Sequence, residues 1–297
     1  MNLRELVSDV RVNRGLWWQR AWSLVAGCTP VSEACQNCWA ATMAHRQGMR
    51  QGLSDAQWEL WGGLTTEQGS WNGSTRLLQK NLTLPLDVKK PTLFSIWNDL
   101  FHPNVPWEFI NKAWGTMLVM QRHFFLVLTK RPERLLDFLK NHREPYNAEF
   151  PRGVPYANIG IGTTIELPKY EHRLDTLLQI PAALHFVSLE PLLGEVKLGL
   201  AKPCDRNCNE YDHAECPGTA GLCVMQRKLD WVLLGCESGS HRRDTKFEDA
   251  QKILNECRDA GVPAFLKQID FSGAKIVHAP TTLTGQVLQF PEVEWKP

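Results

Sequence analysis

Between residues 92 and 268 the chain repeats one pattern: a short apolar run, a polar end, then an amphipathic stretch. The runs are TLFSIW (92–97), HFFLVLT (123–129), ANIGIGTT (157–164), LHFVSLE (184–190), DWVLLGCES (230–238) and PAFLKQ (263–268). Helical patterns fall between them, at about 107–121, from Pro132 to about 142, near 168–179, and at 247–260 before Gly261. Runs apolar on both faces are what parallel strands covered by helices need. Alternating β and α segments imply right-handed βαβ units. The pattern therefore predicts an α/β fold, a partial or complete TIM-like (β/α) barrel, with SLVAGC (23–28) as the first strand. Residues 1–22 read as a lead-in rich in Trp and Arg, ahead of a barrel over 23–297. Two stretches interrupt the alternation. Residues 49–90 are a polar, glycine-containing excursion, expected as a hairpin across the barrel, and about 196–228 form a cysteine-rich insertion.

The 297 residues, 43% of them hydrophobic, are ample for a full core. Thirty-three basic residues against 32 acidic ones leave a net charge of +1, so any nucleic-acid contact must come from a local patch. Met1 to Asp9 alternates charge and carries no long apolar run, and no stretch approaches the roughly 18 apolar residues that span a bilayer. The expectation is a cytoplasmic protein with no membrane partner.

In a reducing compartment, clustered cysteines point to metal more than to disulfides. Cys28, Cys35 and Cys38 follow an apolar run and precede a helix, spaced C-x6-C-x2-C. Thiolates are soft ligands that suit zinc and iron–sulfur clusters. Three of them hold three irons of a [4Fe–4S] cluster and leave the fourth iron open, which is the logic of radical S-adenosylmethionine (SAM) enzymes. A zinc site completed by His45 is the rival, although His45 lies about two helical turns beyond Cys38. Cys204, Cys208, Cys216 and Cys223 form a second set, which suits a closed structural zinc or an auxiliary, fully ligated [4Fe–4S] cluster.

The stretch WSLVAGCTPVSEACQNCWA resembles the signature of the phage and prophage three-cysteine-motif family, a domain of unknown function. The resemblance continues through WNDLFHPNVP, LVLTKRPERL, NIGIGTTIE, FVSLEPLLG, WVLLGCESGS and AGVPAFLKQ, in order along nearly the whole chain. It implies a radical SAM-type TIM barrel with a [4Fe–4S] cluster at Cys28, Cys35 and Cys38 and S-adenosyl-L-methionine as cofactor. It also implies an electron donor such as flavodoxin or ferredoxin, and the cytoplasm of an infected or lysogenic bacterial host. The substrate implied is a hypermodified thymine, in DNA or nucleotide form, whose amino-acid-derived substituent is rearranged by an isomerase. The chain departs from the family at Cys236, where a second glycine is usual, and at Ile269-Asp270, where Trp-Gly is usual. Cys236 reads as a small apolar substitute for that glycine.

In α/β barrels the chemistry sits at the C-terminal ends of the strands. Asp99, with Asn98 beside it, is placed to bond the methionine ammonium, or else to cap a helix. Thr129 and Lys130 end the next strand, and Lys130 suits the methionine carboxylate or a substrate phosphate. Thr163 and Thr164 suit the ribose hydroxyls. Glu190 suits a substrate amine or the ribose. The turn from Gly235 through Glu237 passes backbone close to an adenine or phosphate, and Gln268 suits a base edge. Asp99, Lys130, Glu190, Glu237 and Gln268 are the candidate catalytic residues. Arg11, Arg14 and Arg20 interleave with Trp17, Trp18 and Trp22, a composition for stacking on single-stranded or flipped DNA, or for a solvated face over core tryptophans. His241-Arg242-Arg243 is a second basic spot. A zinc-stabilised DNA-binding barrel without redox chemistry is the alternative function. A hydrolytic metal barrel lacks the His-rich or paired-carboxylate strand ends it would need.

Overall fold

Seven parallel strands form one curled sheet, open between its first and last members. The computed structural model describes residues 1–142, 156–200, 229–239, 241–271, 274–277 and 288–295. The strands are β1 (Arg20–Ser23), β2 (Val25–Ala26), β3 (Arg76–Leu77), β4 (Leu93–Trp97), β5 (Phe124–Thr129), β6 (Ile159–Thr164), β7 (Leu184–Leu189), β8 (Trp231–Gly235), β9 (Ala264–Phe271) and β10 (Ala274–Val277). The helices are α1 (Asp9–Val12), α2 (Trp39–Gly48), α3 (Asp55–Trp61), α4 (Trp107–Val119), α5 (Pro132–Asp137), α6 (His172–Leu177) and α7 (Phe247–Ala260). The main sheet runs β1-β4-β5-β6-β7-β8-β9-β10, with only β10 antiparallel to its neighbour. Among the described residues its edges, β1 and β10, do not pair, so the expected barrel is partial: a half-barrel. Most of the cysteine-rich insertion, residues 201–228 with Cys204, Cys208, Cys216 and Cys223, lies outside the described residues.

The first strand differs from expectation. It is Arg20–Ser23, paired with β4, and the chain then leaves the sheet. Val25 and Ala26 pair instead with Leu77 and Arg76. Gly27 explains the departure. It has φ +87°, and a Cβ there would stand 2.0 Å from the Ser74 carbonyl oxygen, so the backbone crosses the excursion at a distance only glycine allows. The excursion holds more than a hairpin: α3, opened by a capping box between Ser54 and Gln57, and a 3-10 stretch over Gln79–Asp87.

Side chains alternate across the strands with period two, and the two faces bury separate cores. The outer face, with Phe94, Phe125, Val127, Ile161, Val187 and Val232, packs under the helices. Helix α4 contributes Phe109, Ile110, Ala113, Trp114, Met117 and Leu118, spaced as one helical stripe. The concave face, with Leu93, Phe124, Leu126, Leu184, Phe186, Trp231, Leu233 and Phe265, is filled by Leu3, Leu6, Val7, Val12 and Trp17 from one side and Phe290, Val293 and Trp295 from the other. Strand β6 makes room for this plug. A Cβ at Gly162 would meet the Phe186 ring at 2.4 Å, while the alternate residues Ile159 and Ile161 face the helices. The plug segments clasp each other, with Leu3 N donating to Pro291 O at 3.1 Å and Val293 N to Met1 O at 2.9 Å, and Trp231 Nε1 of β8 donates to Gln289 O at 2.9 Å. Helix α7 ends at Gly261 in the left-handed region, φ 67°, as a C-terminal glycine does. No helix among the described residues is long and apolar enough to cross a membrane.

Candidate functional site

The plug fills the half-barrel only to the level of Trp17. Above it, at the C-terminal ends of the strands, lies a cavity of about 580 Å³. The inward register of each strand runs out of apolar residues here. Phe124, Leu126 and Leu128 give way to Lys130, Leu184 and Phe186 to Ser188 and Glu190, and Trp231 and Leu233 to Gly235 and Glu237. The loop from Cys28 to Cys38 and the start of α2 form the facing wall. Cys28, Cys35 and Cys38 all line the cavity, with Asn98, Asp99, Thr129, Lys130, Thr164, Glu190, Glu237 and Gln268. Thr163 and Gly235 do not. Thr163 is fully buried and donates to Thr129 O at 2.8 Å, and Gly235 accepts from Leu192 N at 3.0 Å.

The cysteine loop is pinned from several strands. Lys130 Nζ donates to Ser32 Oγ at 2.9 Å and stands 3.8 Å from Cys35 Sγ. Lys169 and Tyr170 both reach the Glu33 carboxylate. Arg243 donates to Glu33 O at 3.0 Å and Gln36 Oε1 at 3.3 Å, and Asn37 Nδ2 donates to Glu237 at 2.8 Å. The thiols sit in contrasting surroundings. Burial and the neighbouring Asp99 charge push the Cys28 thiol up to about 12. Burial also pushes Cys35 up, but the Lys130 charge and hydrogen bonds from Val31 and Ser32 outweigh it and leave this thiol below its ordinary value. Two of the thiols keep local partners, Cys28 Sγ to Thr29 O at 3.6 Å and Cys35 Sγ from Val31 N at 3.5 Å. Among the described residues, no three His, Cys, Asp or Glu side chains are gathered as a ligand set for one metal ion. His45 is turned to Thr65, 3.1 Å away. Cys236 is buried and reaches the same cavity from the end of β8.

Asp99 is anchored rather than free. Its Oδ1 accepts from Thr129 Oγ1 at 2.7 Å and Phe101 N at 3.0 Å, and Oδ2 pairs with Arg131. Arg131 continues to Thr29 Oγ1 at 2.9 Å, which ties the residue after Cys28 to the ends of β4 and β5. Asn98, at φ 58°, donates to Val25 O at 2.7 Å and so holds the strand before Gly27. Lys130 belongs to a buried chain of charge: its Nζ stands 3.0 Å from Glu166 Oε1, and Arg173 Nη1 lies 3.1 Å from Glu166 Oε2. Glu166 is completely buried, and two cations answer its charge as burial demands. Glu237 is held by Arg243 through its backbone N at 2.8 Å and Nε at 3.1 Å. Burial raises the Glu237 carboxyl, but the Arg243 and Asn37 hydrogen bonds prevail and hold it below the carboxylate range. Gln268 Nε2 donates to Cys236 O at 2.7 Å and Ser238 Oγ at 2.8 Å.

Arg131, Glu166 and Arg173 have no role in the sequence reading, and Arg243 figures there only as part of a basic spot. One signal was present for Glu166. Counting in steps of two along β6, Gly160, Gly162, Thr164 and Glu166 share the inward face, which also places Thr163 on the other side. The two arginine-tryptophan readings divide. Trp22 is core, Trp17 is buried but lines the cavity, and Trp18 lines it with Arg11 stacked 4.0 Å over its ring and Trp97 at its edge. Arg242 pairs with Asp270 at 3.0 Å.

These features define an α/β protein with a parallel half-barrel, plugged at one end and carrying at the other a thiol-lined cavity in which charged strand ends meet an apolar, tryptophan-rich wall. The profile of the family described as "Protein of unknown function (DUF5131)" matches residues 14–296, and the chain belongs to that family. No curated protein and no solved structure matches it significantly.

Proposed function

We propose that the protein is a radical SAM iron–sulfur enzyme acting on a modified nucleobase, as its resemblance to the phage and prophage family implies. One observation carries the reading: the three thiols of the C-x6-C-x2-C motif line one cavity at the C-terminal ends of parallel strands, where such folds place their chemistry. Three thiolates in one cavity are the donor chemistry that a [4Fe–4S] cluster with an open iron takes. When bound, that cluster supplies the electron that breaks the sulfonium C–S bond of SAM. The chain does the rest. Lys130 offsets thiolate charge at Cys35. Asp99 and Arg131 hold the turn after Cys28, and Glu237 with Arg243 hold the segment before Cys38. The tryptophan floor keeps water from the reacting centre. The substrate is a thymine carrying an amino-acid-derived substituent, in DNA or as a nucleotide, and the reaction is a rearrangement. A flavodoxin or ferredoxin supplies electrons, and Cys204, Cys208, Cys216 and Cys223 hold an auxiliary cluster or zinc.

Anaerobic purification tests this. The protein should be brown, contain iron and sulfide, and convert SAM to 5′-deoxyadenosine and methionine on reduction. Cys35→Ala should abolish both the colour of this cluster and the cleavage, while Cys236→Ala should keep them. A colourless protein holding zinc alone would overturn the reading.

A further inference from the structure

Across the cavity from Lys130 stands a second charged pair. Glu190 follows β7, and Lys267 projects from β9 at an irregularity where Leu234 pairs with Leu266 but Gly235 pairs with Gln268. The extra residue lets both Lys267 and Gln268 reach the cavity. One oxygen of Glu190 is fixed: Oε2 accepts from Trp17 Nε1 at 3.2 Å and from Ser188 Oγ at 3.2 Å. The other, Oε1, is buried and receives no hydrogen bond. Lys267 Nζ lies 3.2 Å from it as an ion-pair partner, outside hydrogen-bonding geometry. A buried acceptor of this kind calls for a donor. A Cβ at the neighbouring Gly235 would stand 3.5 Å from Oε1.

The two charges already neutralise each other, so the pair lacks hydrogen bonds and not charge. A free cation or anion would have to displace one partner. A neutral lactam edge satisfies both together, its N–H donating to Oε1 and its C=O accepting from Nζ. Trp17 and Trp18 line the same cavity and suit a flat ring. We propose that Glu190 and Lys267 form the subsite that reads the N–H and C=O edge of a thymine-type base. This rests on the preceding reading only in that the substrate carries a base. Binding there needs neither cluster nor SAM, so the two can fail separately.

The test is calorimetric titration of the purified protein with thymidine and with N3-methylthymidine, which lacks the donor. Thymidine should bind about tenfold or more tighter, the worth of one hydrogen bond to a charged acceptor. Glu190→Gln keeps an oxygen for Trp17 and turns an amide NH2 toward the ligand, and it should erase the preference between the two nucleosides. If Glu190→Gln fails to fold, the wild-type comparison decides alone. Equal affinity for the two nucleosides, or no thymidine binding at millimolar concentration, would overturn the subsite. A protein that discriminates them but never takes up iron would retain the subsite and lose the radical chemistry.

Discussion

The two ends of the half-barrel are built on the same strands and share no chemistry. At the plugged end, the inward positions are Leu93, Phe124, Leu184, Trp231 and Phe265, sealed by residues from both ends of the described chain. At the mouth, inward positions on those strands or just beyond them are Asp99, Lys130, Glu190, Glu237 and Lys267. Each strand is thus a gradient from apolar to charged, two residues per step. The core supplies rigidity at one end, and the other end is left to carry polar groups that burial alone would not tolerate. Charges at the mouth are reconciled pairwise: Glu166 with Lys130 and Arg173, Asp99 with Arg131, Glu237 with Arg243.

If the division holds, damage to the two ends should separate in the laboratory. The largest effect belongs to the plug. Phe186→Ala opens a void among Trp17, Trp231 and the β6 glycines, and should cost about 4 kcal/mol of stability by urea unfolding. The folded fraction should still take up iron as the wild type does. Glu166→Gln sharpens the comparison, since Glu166 belongs to the mouth yet is fully buried. It leaves Arg173 without its counter-charge and should cost about 2–3 kcal/mol. Here iron per folded chain should fall too, because Lys130 loses its hold beside Cys35. Unchanged iron content in that variant would confine Glu166 to a structural part. The smallest effect is the pH response of His123, at the plugged end. Burial, aided by the Arg122 charge, outweighs its hydrogen bonding to Pro85 and lowers its affinity for a proton below the ordinary 6.5. The unfolded chain therefore binds that proton first. Stability is complete above pH 6.5 and declines as pH falls through the interval down to the lowered folded value. His123→Gln should flatten the difference between urea midpoints measured at about pH 7 and pH 5.5.

Much of the scaffold was legible because its signals are local. The runs ending at Trp97, Thr129, Thr164 and Glu190 became strands within a residue or two of their expected bounds, and Gly261 closed the helix it was expected to close. The first strand was misplaced because what stops it, the crossing of Gly27 over Ser74, lies in a contact distant along the chain. The site divides the same way. Three thiols, Lys130 and Glu237 were visible as residue types at strand ends, and the cavity gathers them. Thr163 was chosen by neighbourhood, although its register turns it away. Arg173 carries no local pattern, and Arg243 shows in the sequence only as part of a basic run, without its partner Glu237. Helix α6 and the approach to α7 supply them, and their partners exist only once the sheet has curled.

The clasp between residues 1–17 and 288–295 makes the mouth a late event in the life of the chain. A ribosome releases the first of these segments long before the second. Until they meet, Trp231 and Phe265 lack part of their cover and Trp17 lacks its full bed, so the indole that steadies Glu190 is not yet in place. Contacts this remote in sequence form slowly, and nascent chains with such surfaces bare are those that holding chaperones retain. The carboxylate of Glu190 thus reaches its working orientation only as the last of the inner wall arrives.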